Sequence, residues 1–506
     1  MNRFGFISLF LIGLMAFLLR FFYLGQDQLW MDEAYSVIVS GGSFEEIIRE
    51  IPGNGSPPLY NFLLHVWMQG FGDSAISIRS LSLIFGVGFV LLLFGVGKSF
   101  FDTKVGLLAS LIGAVNALHI FYSQQARVYA LLMVLSLLSF YFLKNAVSTR
   151  RTVPFIGYTL TTILLLYSHN WALFLLPVPY FFILLNRAAW PLFPKIIFSH
   201  LIALLFYLPF IPSLITQAAS GSSSWITYFW EKVGAQWGFL KTFEIFFMGG
   251  EFLTFGKIPY GRWLPIIFLI FILFFVLSSV KIKNKNLTLL LGYLMIPLLI
   301  PYFFSFYQPL YVPGRYDLIV FGPFCLLLGF CFSKMPRKIF IGSLTLFLLL
   351  SSVNLYGFYF KRSPRHENQA MAFFLKENAH PNDLIIFTGL TRLPIQYYLG
   401  KVFDQFQIEH HPADAEKTIG YYDYPKYLAR NGDIEKETFE RRATSNEQRI
   451  WVCANRWLNF IFEKEADFMN EPLYFALTTH YRLTAIHPFR KAFILEFEPW
   501  ETATES

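Results

Sequence analysis

The sequence predicts a polytopic α-helical membrane protein of about 11 transmembrane helices with a small C-terminal extracytoplasmic α/β domain. Of 506 residues, 55% are hydrophobic and only 15% are charged, against about 25% charged in soluble domains. The net charge is +11 over residues 1–360 and −3 over residues 361–506. We therefore expect a multi-span membrane domain over 1–360 and a soluble domain over 361–506, and composition excludes an ordinary soluble enzyme.

Eleven apolar stretches in the first domain come close to the roughly 20 residues that a helix needs to cross a bilayer. They lie near residues 5–24, 77–97, 105–121, 127–143, 153–168, 170–186, 196–215, 264–280, 287–305, 316–333 and 338–358. The first of them has no small-residue cleavage site, so we expect it to be retained as an anchor.

The loops between these stretches carry an orientation signal. With the N-terminus in the cytoplasm, the inner segments hold 14 Lys and Arg against one acid, Asp102. This obeys the positive-inside rule and predicts a multi-pass protein of the plasma (inner) membrane with its C-terminal domain outside the cytoplasm. The basic excess thus favours a lipid bilayer as partner, and no nucleic acid is expected, because no basic patch interleaved with aromatic residues is present.

Local patterns predict the remaining elements. Residues 43–46 form a capping-box pattern at the start of a short surface helix. In the tail, a helical stretch at 367–378 precedes a turn at 380–383 and a strand at 384–388, and a second apolar strand covers 450–454. A small α/β domain is the expected result.

Most polar residues at the ends of the spans fall on the outer side. Asp32 and Glu33 follow the first span, and the others lie at Arg79, 119–129, His169 and 315–317. Each has a simple alternative explanation: Asp32 could cap a helix beginning at Glu33, the arginines could reach lipid headgroups, and His169 could be an interface histidine. Their combination on one face predicts a polar cavity at the outer leaflet.

Transfer of a group from a lipid-phosphate carrier suits such a cavity. The departing phosphate needs fixed cations, and Arg keeps its charge and offers several donors. The acceptor hydroxyl needs a general base, and a carboxylate suffices. Asp32 with Arg127 and Arg315 would supply these roles.

At these residues the sequence resembles the polytopic GT-C glycosyltransferases that use polyprenyl-phosphate sugars (glycosyltransferase family 39-like), including protein O-mannosyltransferases and lipid A aminoarabinose transferases. The resemblance rests on motifs in the family's order over about residues 1–335: Trp30-Met31-Asp32-Glu33-Ala34-Tyr35, Pro57-Pro58-Leu59-Tyr60, Phe71-Gly72-Asp73-Ser74 with Arg79 and Phe85-Gly86-Val87, the run from His119 to Ala130, Tyr167-Ser168-His169-Asn170-Trp171, and Arg315-Tyr316 ahead of Pro323.

The resemblance implies an inverting hexosyl- or pentosyltransferase with a polyprenyl-phosphate-linked sugar donor and a glycolipid, glycan or protein acceptor. It implies that Asp32 is the catalytic base and that Glu33 assists in the acceptor site. The residues that it implies for binding the lipid phosphate or the sugar are Arg127, Tyr129, His169, Arg315, Tyr316 and Arg79.

Two positions depart from the family pattern. Ser56 stands where the family often has His, and Gln125 where it often has Glu. Both changes remove candidate metal ligands. We therefore assign no metal ligand and no cofactor, and a divalent metal stays an alternative.

Two other functions remain open from the sequence. A transporter or lipid flippase would also have 11 or 12 spans, but it would be expected to show paired repeats and polar groups near the middle of the membrane. A GT-C ligase using pyrophosphate-linked donors would share the motifs. A donor assay comparing monophosphate with diphosphate carriers would separate it from the first hypothesis.

Overall fold

A computed structural model describes residues 3–50, 57–219, 226–227, 230–231, 237–249, 285–361, 367–388, 391–411, 448–455, 472–490 and 492–500. The chain forms two compact units. The first comprises Met1–Gly25 and Ile47–Arg362, and the second comprises Gln26–Glu46 and Ser363–Ser506. The second unit thus contains a segment from near the N-terminus together with the tail.

Helices dominate the described residues. In chain order they are α1 (Arg3–Phe21), α2 (Met31–Gly41), α3 (Phe44–Arg49), α4 (Leu59–Phe71), α5 (Ala75–Phe100), α6 (Thr103–Val115), α7 (Ala117–Ser123), α8 (Tyr129–Thr149), α9 (Thr152–Leu166), α10 (Pro177–Leu185), α11 (Phe193–Tyr207), α12 (Ile211–Ala219), α13 (Gly238–Met248), α14 (Lys285–Phe304), α15 (Phe321–Lys334), α16 (Arg337–Phe360), α17 (Asn368–Asn378), α18 (Arg392–Leu399) and α19 (Pro472–His480). Short 3-10 helices cover Asn170–Leu175, Arg187–Leu192, Leu208–Phe210, Asp317–Val320 and Gly400–Gln405.

Many of these helices are long and apolar enough to cross a membrane. Among the described residues there are seven such segments, or eight if α6 and α7 count as one broken span, and α9 and Asn170–Leu185 are shorter apolar helices. Together they correspond to ten of the predicted spans, and the stretch at 264–280 lies outside the described residues. The multi-span membrane protein is confirmed, while the total of 11 stays a prediction.

The predicted span at 105–121 is not one continuous helix. Helices α6 and α7 meet at an angle of 66°. Asn116 stands at the break, where its Oδ1 accepts a hydrogen bond from the backbone N–H of His119 at 3.0 Å. Its Nδ2 donates to the carbonyl of Phe246 at 2.7 Å. The amide therefore satisfies one backbone N–H that the break leaves free and also ties the break to α13, which an apolar pattern does not reveal.

Small residues allow the first-unit helices to pack closely. A Cβ at Gly97 of α5 would lie 2.7 Å from the Cα of Gly106 of α6, and a Cβ at Gly106 would lie 2.6 Å from the carbonyl oxygen of Phe94. A Cβ at Gly329 of α15 would likewise lie 2.9 Å from the backbone nitrogen of Ala109. Close backbone approach at small residues is typical of helix packing in membranes.

The end of α1 is fastened to α6 and to the loop that leads to α8. Arg20 is fully buried, and its guanidinium donates to the carbonyls of Gly113 at 2.9 Å and Ala114 at 3.1 Å. Gln124 donates in turn to the carbonyl of Arg20 at 2.9 Å and to that of Phe22 at 2.7 Å. These bonds fix the loop three residues ahead of Arg127.

The described residues of the second unit form a five-stranded sheet in the order β2-β1-β3-β5-β4. Its strands are β1 (Leu384–Thr388), β2 (Gln407–His411), β3 (Ile450–Asn455), β4 (Tyr481–Phe489) and β5 (Ala492–Pro499). Strand β1 pairs in parallel with β2 and β3, while β5 pairs antiparallel with β3 and β4. The predicted strands correspond to β1 and β3, and the predicted helix corresponds to α17.

Both faces of this sheet are covered, which explains the continuous apolar run of β1. Ile386 and Val452 face one core, while Ile385 and Trp451 face the other. Asp383 closes the turn before β1, because its Oδ2 accepts hydrogen bonds from the His380 backbone at 2.9 Å and from the Trp451 indole at 2.9 Å. The small C-terminal sheet domain is thus confirmed.

Candidate active site

A sharp turn before the Asp317–Val320 helix presents two of the predicted site residues. Gly314 has a φ of +76°, and a Cβ there would lie 2.6 Å from Cγ2 of Ile245, so the position suits glycine alone. Asp317 Oδ2 accepts hydrogen bonds from the Gly314 N–H at 3.0 Å and from the Thr242 hydroxyl at 2.5 Å. Tyr122 donates to the Gly314 carbonyl at 2.7 Å. The turn is therefore held from several sides.

Arg315 projects from this turn onto the start of α8. Its Nε donates to the hydroxyl of Tyr129 at 2.7 Å. The centre of the guanidinium lies 5.8 Å from the ring centroid of Tyr129 and 5.8 Å from that of Tyr316. Arg315 is half-buried, whereas Tyr129 is buried. A delocalised cation is thus oriented by one hydrogen bond and two aromatic rings.

His169 joins the same cluster as a neutral side chain. Its ring lies 5.0 Å from that of Tyr316 and 6.4 Å from that of Tyr129. Burial, with the positive charges of Arg315 and Arg127, lowers the pKa of His169 to about 3. Its Nδ1 accepts a hydrogen bond from the Trp171 backbone N–H at 3.1 Å, so the proton of the neutral ring resides on Nε2. The imidazole can therefore donate one hydrogen bond but adds no charge.

Arg127 precedes α8 in the loop after α7. The Ser82 hydroxyl donates to the Arg127 carbonyl at 3.3 Å, and the hydroxyls of Ser82 and Tyr60 are hydrogen-bonded at 2.9 Å. The Arg127 side chain is half-buried, and its charge acts on His169. The first unit thus brings together five predicted residues, namely Arg127, Tyr129, His169, Arg315 and Tyr316.

Arg79 has a different environment. It is buried at the start of α5, and its Nη1 donates to the carbonyl of Leu24 at 3.0 Å. This bond ties α5 to the chain that follows α1, which is a structural role. Contact of Arg79 with substrate stays a prediction.

The two predicted acidic residues lie on α2 in the second unit. The helix begins at Met31 with Trp30 as its N-cap, so Asp32 is its second residue and not its cap. The simple capping explanation for Asp32 is therefore wrong. Asp32 is 4% exposed and Glu33 is 1% exposed, which is rare for carboxylates without a role or a partner.

Sequence reasoning assigned no role to two residues that support the cluster. Asp317 and Thr242 hold the turn that carries Arg315, and Thr242 is also hydrogen-bonded to the hydroxyl of Tyr311 at 2.5 Å. An acidic residue at the start of an apolar span is costly unless it is paired. The sequence could therefore have indicated a role for Asp317. Thr242 carried no such signal, since it lies 75 positions away from Asp317 in sequence.

Gln125 and Ser56 are the two positions at which this chain departs from the family's candidate metal ligands. Gln125 is buried in the loop before Arg127, and Ser56 lies outside the described residues. Within the described part of the chain, no three His, Cys, Asp or Glu side chains come together in a way that would bind a metal.

The cluster has the chemistry of an oxyanion site. Two guanidiniums supply fixed charge, and neutral His169 supplies one donor. The N-terminus of α8 lies beside the cluster, because Tyr129 is the first residue of this helix. The free N–H groups and the dipole at the start of a helix favour a bound anion. A phosphate group would find charge and directed donors there.

Comparison with known proteins identifies the fold. Residues 55–215 match the family model of dolichyl-phosphate-mannose-protein mannosyltransferase. No curated protein matches the sequence.

Solved structures match over nearly the whole chain. ArnT from Cupriavidus metallidurans bound to undecaprenyl phosphate is 12% identical, with 98% of each chain covered and a TM-score of 0.60. The archaeal oligosaccharyltransferase AglB from Archaeoglobus fulgidus, in complex with an inhibitory peptide and a dolichol-phosphate, is 11% identical, with 99% of this chain and 75% of that chain covered and a TM-score of 0.56. The chain thus has the GT-C fold, and residues 55–215 are similar to the mannosyltransferase family.

Proposed function

We propose that this protein transfers a sugar from a polyprenyl monophosphate to a lipid, glycan or protein acceptor at the outer face of the plasma membrane. The observation that carries the proposal is the cluster of Arg315, Tyr129, Tyr316, His169 and Arg127, an oxyanion site on a GT-C fold. The complexes of ArnT with undecaprenyl phosphate and of AglB with a dolichol-phosphate support a lipid phosphate as the bound group.

In the proposed reaction, Asp32 accepts the proton of the acceptor hydroxyl while the hydroxyl oxygen attacks the anomeric carbon. The bond from that carbon to the phosphate oxygen breaks, and its electron pair leaves with the polyprenyl phosphate. Attack from the face opposite the leaving group inverts the anomeric centre. Glu33 assists at the acceptor side.

Arg315 and Arg127 stabilise the charge that develops on the departing phosphate. Oriented groups act more strongly than mobile ones, because they need not reorganise during the reaction. The hydrogen bond to Tyr129 orients Arg315. The bond from the Trp171 backbone N–H to Nδ1 orients His169, whose neutral Nε2–H is then a directed donor. No metal is required by these steps.

The test is an assay of the purified full-length protein with a panel of polyprenyl-phosphate sugars. We expect transfer from at least one monophosphate donor, at least a ~100-fold loss of turnover in Asp32→Asn, and inversion at the anomeric carbon of the product by NMR. Undiminished transfer by Asp32→Asn would rule out the assigned base.

The oligosaccharyltransferase similarity makes the carrier group a necessary second comparison. The same assay should therefore include diphosphate-linked donors with the same sugar. Turnover with the diphosphate donor and none with the monophosphate donor would replace the proposed donor class by that of the ligases.

A further inference from the structure

The segment that carries Asp32 is built into the second unit. Residues Gln26–Glu46 group with Ser363–Ser506, and α2 packs against α18. The second unit therefore contains Gln26–Glu46 as part of its own structure. This arrangement suggests a role for the C-terminal domain, in which the sequence indicated no binding residue.

Two hydrogen bonds fasten the chain immediately before α2. The backbone N–H of Leu29 donates to the hydroxyl of Tyr398 on α18 at 2.7 Å. Leu29 is completely buried. If the hydroxyl of Tyr398 were removed, water could not replace it as the acceptor for this N–H. The anchored residue lies three positions before Asp32 and two before the first residue of α2.

The second bond runs in the opposite sense. The side-chain Oε1 of Gln28 accepts from the backbone N–H of Gln369 at 3.1 Å. Gln369 is the second residue of α17, whose N-cap Glu367 makes no side-chain capping bond. Gln28 thus supplies a cap that α17 lacks in its own sequence.

Helices α17 and α18 are themselves fixed to the sheet. Met371 and Leu375 of α17 and Ile395 and Leu399 of α18 are buried in one core with the side chains of β1 and β3. The chain immediately before α2 is consequently connected to the sheet through two helices and two hydrogen bonds. A helix held in this way at its start keeps the direction of its first turn, which contains Asp32 and Glu33.

We propose that the C-terminal domain is the platform that positions the catalytic base, with Tyr398 and Gln28 as positioning residues. The inference rests on the proposed function of Asp32. Because the groups proposed to bind phosphate lie in the first unit, losing either bond should slow the chemical step and leave binding of the lipid phosphate intact. A misplacement of about 1 Å at a reacting group costs up to ~100-fold in rate.

The test compares variants of the full-length protein by single-turnover transfer, normalised to the amount of undecaprenyl phosphate bound. Tyr398→Phe and Gln28→Met each remove one acceptor, whereas Gln28→Glu keeps an acceptor at the N-terminus of α17. Tyr397→Phe removes the adjacent hydroxyl of the same helix and serves as the matched control. Hydrogen exchange of peptides spanning residues 29–36 reports the anchoring without any substrate.

We expect Tyr398→Phe and Gln28→Met to slow transfer about 10- to 100-fold, with faster exchange over residues 29–36 and undecaprenyl phosphate affinity within about twofold of wild type. Gln28→Glu and Tyr397→Phe should behave as wild type. If Asp32→Asn loses transfer while Tyr398→Phe and Gln28→Met keep wild-type rates, this inference alone is overturned. It is also overturned if the affinity of these two variants for undecaprenyl phosphate falls as much as their rate. Wild-type transfer by Asp32→Asn would overturn the assignment of Asp32 as the base, and this inference with it, whereas no transfer by the wild-type protein from any donor would overturn the proposed function itself.

Discussion

The bond between Arg315 and Tyr129 gives the sharpest test of the oxyanion cluster. Tyr129→Phe deletes the oxygen that accepts from Arg315 Nε at 2.7 Å but keeps the ring, its burial and the charge of the arginine. A hydrogen bond to a charged group contributes about 1.5–3 kcal/mol. Since each 1.36 kcal/mol is tenfold in rate, loss of that bond in the transition state should lower kcat/KM by roughly 10- to 150-fold.

A double-mutant cycle shows whether Tyr129 acts through Arg315. Arg315→Lys keeps the charge but loses both Nε–H and the planar group that faces the rings of Tyr129 and Tyr316. If the hydroxyl of Tyr129 serves only to orient Arg315, adding Tyr129→Phe to Arg315→Lys should change kcat/KM by about twofold at most. Initial rates with the donor that the wild-type protein accepts give all four values.

Tyr293→Phe is the matched control, because its buried hydroxyl donates to the carbonyl of Ser136 at 3.2 Å and makes no bond to the cluster. We expect its kcat/KM to stay within about twofold of wild type. The reasoning is refuted if Tyr129→Phe costs the same factor in the Arg315→Lys background as in the wild-type protein.

Three other predictions concern the Gly314 turn, the imidazole of His169 and the second unit. Gly314→Ala would place a side chain at a positive φ and against Ile245, so we expect about 1–3 kcal/mol of strain and a lower melting temperature. Binding of undecaprenyl phosphate should also weaken, and wild-type affinity would contradict this. His169 has a pKa of about 3 and stays neutral above pH 4, so His169→Gln should keep the shape of the pH profile of kcat between pH 5 and 8; a shifted acid limb would show that His169 titrates there. Burial lowers the pKa of His411 to about 4, so the unfolded chain binds a proton before the folded chain as pH falls. The stability of the second unit should therefore drop by up to about 3 kcal/mol between pH 6.5 and pH 4. Thermal melts of His411→Gln should show a smaller drop.

Much of the fold could be predicted because its signals are local. Apolar length identified the described spans, and unbroken hydrophobicity identified β1 and β3, which are buried on both faces. The capping box is also confirmed, since the Ser43 backbone donates to Glu46 Oε2 at 2.7 Å and the Glu46 backbone donates to Ser43 Oγ at 3.3 Å. These features depend on residues within one turn or one strand of each other.

The site could be predicted only in part. The motifs singled out Arg315 and Tyr129, but their hydrogen bond joins residues 186 positions apart. The support of the Arg315 turn by Thr242 and the break at Asn116 likewise depend on neighbours that no local pattern contains. The neutral state of His169 follows from burial beside two arginines, which is a property of the packed cluster.

The sequence by itself determined the membrane class and the positions of the ten described spans and of strands β1 and β3, because hydrophobic length and charge act locally. It also led to the proposal of arginines and a carboxylate for phosphate chemistry. The tertiary structure decided which of those residues meet, and it placed Gln28, Leu29 and Asp32 in one unit with α17 and α18. The physical reason is that hydrogen bonds such as the one from Leu29 to Tyr398 depend on which helices pack together. Packing is a property of complementary surfaces that residues far apart in sequence create.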